Sequence, residues 1–89
     1  MAKAEISWKR TGPDGQPVQV YAHHVGSRWI FYQRLRRFDQ WETVDNPPIE
    51  DWLALLDSVE RRVARQLLRP EEVVRVRKAI HERFPEVTF

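Results

Sequence analysis

The run VQVYAHHVGSRWIFYQRL, from Val18 to Leu35, holds two alternating segments that meet at Gly26-Ser27. A two-residue link between alternating runs is a strong local signal for an antiparallel hairpin, and glycine in the first central position fits a type II′ turn. With that loop, Val25 faces Arg28, Ala22 faces Phe31 and Val18 faces Leu35. A slip of one residue would send every side chain to the opposite face, so the loop position sorts the hairpin into two surfaces. One carries Val18, Val20, Ala22 and His24 against Leu35, Gln33, Phe31 and Trp29, and is the expected core face. The other carries Gln19, Tyr21 and His23 against Arg34, Tyr32 and Ile30.

A further strand is expected before the hairpin. In AEISWKR, Ala4, Ile6 and Trp8 alternate with Glu5, Ser7 and Lys9. TGPDGQP then turns the chain, because proline presets φ and glycine accepts positive φ. After the hairpin, QWETV is a possible fourth strand within residues 39–44. Asn46-Pro47-Pro48 stops the sheet. Glu50 and Asp51 suit the positive end of a helix dipole, and Ile49, Trp52, Leu53, Leu56, Val59, Val63 and Leu67 form a helical stripe. The residue before Pro70 disfavours helix, so this helix is expected to end near Leu68. Pro70-Glu71-Glu72 repeats the start signal, and Val73, Val76, Ile80 and Phe84 mark a second helix. Strands therefore occupy about residues 3–44, and helices about 48–68 and 70–84.

The expected architecture is a single α+β domain over residues 1–89, in the order β-β-β(-β)-α-α. Its three- or four-stranded antiparallel sheet is covered on one face by the two C-terminal helices, because a half-apolar sheet needs a cover. The order of three strands and a helix over residues 4 to 68 resembles the sheet-reading DNA-binding domains of plant ethylene-response factors and some integrase arm-binding domains. That resemblance lies in element order alone, and the second helix departs from it.

Several chemistries find no support in the residues. The chain has no cysteine, which excludes disulfides, thiolate metal sites and cysteine nucleophiles. His23 and His24 are consecutive strand residues and point to opposite faces, so they do not converge on a metal. The three glycines form no phosphate-cradling loop. Neither an enzyme nor a cofactor-binding protein is expected. The apolar runs are too short to span a membrane, and MAKAEISWKR has no apolar leader core, so the expected location is the cytoplasm.

Charge is what singles out a surface. The net charge is +2, yet residues 47–89 carry eight basic and eight acidic side chains, so the excess lies in the first half. There it gathers in Arg28, Arg34, Arg36 and Arg37. With Tyr21, His23 and Tyr32 these form the candidate binding surface, an aromatic-plus-arginine combination that protein interfaces favour. The expected function is a non-catalytic binding module whose partner is a protein or a second copy of the chain. The alternative is nucleic-acid binding by the same face and the 34–37 loop, with bases stacked and phosphates paired. Arg61, Arg65 and Arg69, at i, i+4 and i+8, read as a solvated helix face with Asp57 pairing Arg61.

Overall fold

The computed structural model of the chain describes residues 5–26, 28–35 and 39–87. Four strands, β1 (Glu5–Thr11), β2 (Pro17–Val25), β3 (Arg28–Arg34) and β4 (Glu42–Val44), precede two helices, α1 (Ile49–Ala64) and α2 (Glu71–Arg83). The fold is α+β, and the strands form one antiparallel sheet in the order β1-β2-β3-β4. The chain divides into two compact units, Met1–Pro47 and Pro48–Phe89.

In the sheet unit, the hairpin register is the one the loop position dictates. Val25 pairs with Arg28 and Ala22 with Phe31. Gly26 has φ +61°, as the turn requires; Ser27 lies outside the described residues. The pairing stops one residue earlier than expected. β3 ends at Arg34, so Leu35 does not face Val18 and stands 58% exposed in a bend. At the β1–β2 connection, the Gly15 amide donates to the Gly12 carbonyl at 3.0 Å, and Gly15 takes φ +81°.

The open question of a fourth strand resolves to three residues. Phe31 pairs with Val44, Tyr32 with Thr43 and Gln33 with Glu42. One face of the sheet then carries a row of Ile6, Ala22, Phe31 and Val44 across all four strands. Ile6, Val18, Val20, Ala22 and Phe31 are buried, and Trp8 meets Phe31 edge-on with ring centroids 6.1 Å apart.

In the helical unit, two expectations need correction. First, α1 ends at Ala64 rather than near Leu68. Arg65 is the C-cap, and Gln66 takes the left-handed conformation at φ +62°. The Leu67 amide donates to the Arg62 carbonyl at 2.8 Å, and the Gln66 amide to the Val63 carbonyl at 2.9 Å. This 6→1 and 5→2 pair is the Schellman arrangement, which satisfies carbonyls at a helix end. The helix is closed before Pro70 is reached, and Arg69 lies outside it. The i, i+4, i+8 arginine row is thus interrupted, although Arg61 does pair with Asp57.

Second, the buried arc of α1 is rotated from the expected stripe. Asp51, Trp52, Leu55, Leu56 and Val59 are buried, whereas Leu53 is 41% and Leu67 57% exposed. The run Trp52–Leu56 offers apolar residues on more than one side of the helix, so periodicity alone does not choose between Leu53 and Leu55. In α2, Val76 and Ile80 are buried, and Glu72 is buried with an oxygen 2.8 Å from Arg75 Nη1. Arg77 reaches Glu60 at 3.2 Å, joining α2 to α1.

Two stability outcomes follow. Phe31→Ala removes the largest side chain of the four-strand row and should cost about 3–5 kcal/mol. Gln66→Gly should stabilise the protein by about 0.5–1 kcal/mol, the ~1–2 kcal/mol of left-handed strain less the extra freedom glycine gives the unfolded chain. A urea midpoint that rises with an unchanged slope would show the second effect; a midpoint that falls would refute the cap assignment.

Candidate functional site

The face opposite the buried row is built from the same register. Its central row is Ser7, Tyr21, Tyr32 and Thr43, and the next row is Lys9, Gln19 and Arg34. Side chains stand roughly perpendicular to a sheet, so direct cross-strand partners touch. Tyr21 and Tyr32 accordingly stack, with centroids 4.7 Å apart and planes 14° apart. The Arg34 Nε donates to Gln19 Oε1 at 2.6 Å.

Trp41 completes the cluster, and the sequence reading missed it. It stands just before β4, 37% exposed, and meets Tyr21 edge-on at 4.6 Å. The Arg34 guanidinium lies over its ring, 4.2 Å from the centroid. A signal for it existed in the sequence. Trp41 shares the parity of Thr43, which puts it on the tyrosine face once Glu42 pairs with Gln33. That pairing depends on a loop length that periodicity does not supply.

Arg34 is therefore held from two sides by neutral groups. The cation sits on an aromatic face, an attraction of about 0.5–1 kcal/mol at exposed sites. Its Nε is committed to Gln19. Its two Nη groups make no hydrogen bond among the described residues and keep the fork geometry that receives a carboxylate or phosphate. Ser7, Lys9, Gln19, Arg34 and Trp41 line a cleft of about 410 Å³ beside it. A second cleft of about 600 Å³ opens past the end of β3, with Arg34, Asp39, Gln40, Trp41 and Glu42 among its walls.

The remaining predicted residues divide. Tyr21, Tyr32 and Arg34 are brought together as expected. Arg28 is exposed at the other end of β3, about 20 Å from Arg34 at ~3.4 Å per residue, and does not join them. His23 shares the tyrosine face but sits between Glu5 and Ile30, and its buried Nδ1 makes no hydrogen bond among the described residues. His24, on the other face, stacks on Trp29 at 4.5 Å. Arg36 and Arg37 lie outside the described residues.

No family model matches this chain, and neither a curated protein nor a solved structure matches it. Among the described residues, no helix is long and apolar enough to cross a membrane.

One titration reports on the cluster. Burial pushes the Tyr21 phenol above its ordinary value of 10.0, and the neighbouring Tyr32 and the Glu5 carboxylate add to the shift. The folded value exceeds the unfolded one. The neutral phenol's contribution to stability is therefore fully present below pH 10.0 and is lost as the pH rises through the folded value. The chain has two tyrosines. Tyr32→Phe leaves Tyr21 alone and should bring its midpoint down toward 10.0 in a tyrosinate absorbance titration. A midpoint unmoved by that change would show that Tyr32 contributes nothing to the shift, leaving burial and Glu5 as its causes.

Proposed function

We propose that the chain is a non-catalytic binding module that takes an acidic segment of a protein partner on the Tyr21–Tyr32–Arg34–Trp41 face. One observation carries this reading. The Arg34 guanidinium is fixed by Trp41 and Gln19, with its Nη groups directed to no acid among the described residues. A pre-oriented fork loses little entropy when a carboxylate arrives, which is how rigid anchors gain affinity. Lys9 in the same row adds a second cation beside the cleft.

The ring geometry favours protein over nucleic acid. Binding single strands needs aromatic faces open to bases. Here Tyr21 and Tyr32 each spend a face on the other, and Arg34 covers one face of Trp41. Stacked tyrosines beside a tryptophan-held arginine are a combination that protein interfaces favour.

The test is a pair of titrations followed by NMR at about 150 mM salt. Peptides rich in aspartate, glutamate and one aromatic should shift the Trp41 indole and Gln19 amide signals. Arg34→Ala should weaken binding roughly tenfold, the scale of one charge-assisted contact, and Arg34→Lys should restore little of it. Mixed oligonucleotides should bind weakly and without sequence preference. Nanomolar, sequence-dependent binding to an oligonucleotide would overturn the proposal in favour of nucleic acid.

A further inference from the structure

β1 ends the sheet, and no strand lies on its outer side among the described residues. It is seven residues long, against three for the opposite edge, β4. Alternate residues of an edge strand direct their N–H and C=O groups outward, a template for another strand. The usual protection is a charged side chain, and β1 has three, Glu5, Lys9 and Arg10.

We propose that β1 pairs with β1 of a second copy, antiparallel and centred on Ser7, so that two four-stranded sheets join into one of eight strands. This goes beyond the acidic-segment reading, with which it shares Lys9 but not Arg34. Symmetric pairing makes an isologous contact, in which each residue meets its counterpart across a two-fold axis. The apolar rows of the two sheets stay on one side only if each residue meets a residue of its own face. Centring on Ser7 satisfies this. It sets Glu5 opposite the second copy's Lys9, Lys9 opposite its Glu5, Ser7 opposite Ser7, and Ile6 opposite Trp8. The lysine that guards the edge against other strands is thereby met by an acid. Centring on Trp8 instead puts Ile6 opposite Arg10 and leaves Lys9 opposite Ser7, with no charge compensated. Glu5, Ser7 and Lys9 are all exposed, so the pairing displaces no buried contact of theirs.

The contact is short, so the dimer is weak and reversible, well below the ~1,000 Å² of a stable complex. Sedimentation of the full chain up to millimolar concentration should show a monomer–dimer equilibrium. Glu5→Lys alone, or Lys9→Glu alone, sets like charges face to face twice per dimer and should weaken it by roughly fivefold or more. The double swap recreates both pairs and should return the affinity to within about twofold of wild type. Arg34→Ala should leave the dimer unchanged, which separates this result from the fate of the peptide site. A chain that stays monomeric throughout would overturn the proposal, as would single variants as tight as wild type or a double swap as weak as either single. A second test uses the absence of cysteine. Directly opposed residues have Cα atoms about 4.5–5.5 Å apart, within disulfide reach. Under mild oxidation, Ser7→Cys should give covalent dimer much faster than Thr11→Cys; equal rates would refute the Ser7 axis.

Discussion

The pairing of Ala22 with Phe31 is the constraint from which both faces of the sheet follow. Ala22 is wholly buried and offers only a methyl group, which leaves room for the Phe31 ring beside it and for Trp8 at the ring's edge. Moving one residue along each strand turns the row to the other side, where Tyr21 meets Tyr32. The register that buries phenylalanine is thus the register that stacks the tyrosines. A shift of one pair would expose Phe31, and a shift of two would part the tyrosines, so packing on one face enforces geometry on the other.

The two halves of the chain handle charge differently. In the helical unit, arginines find acids: Arg61 with Asp57, Arg75 with Glu72, Arg77 with Glu60. The Arg61–Asp57 and Arg77–Glu60 pairs are solvated and each contributes little to stability, while Glu72 is buried beneath Arg75; with eight acids for eight bases, that half carries no net charge. In the sheet unit, Arg34 is held by an indole and an amide. Neither neutralises it. An arginine held by neutral groups can receive an anion directly, whereas an arginine already in an ion pair has to exchange partners first.

How much of this was legible in the sequence depends on which residues carried local information. Gly26 fixed the turn position, and alternation then placed Val18, Val20, Ala22 and Phe31 inside and Tyr21, Tyr32 and Arg34 outside. Pro70 with Glu71 and Glu72 marked two helices rather than one. Three features were not legible. Gln66 ends α1 in a conformation usually given to glycine, so no residue type announced the stop. Leu55 lies in an apolar run that satisfies more than one helical face. Trp41 reaches Arg34 and Tyr21 through a connection between β3 and β4 whose course no periodicity encodes. The placement of Tyr21, Tyr32 and Arg34 on one face was thus legible where cross-strand pairing decides it, and the place of Trp41 was not, because a loop decides it.

The brevity of β4 has its own consequence for how copies of this chain can accumulate. A sheet with two long open edges adds strands at both and grows into a fibre. Here one edge offers three residues, Glu42 to Val44, with an acid at its start. Any association through β1 consumes the long edge of each copy and presents only two short acidic ones outward. Further growth would have to rest on three residues a side, so pairing through β1 would favour a closed pair over a fibre.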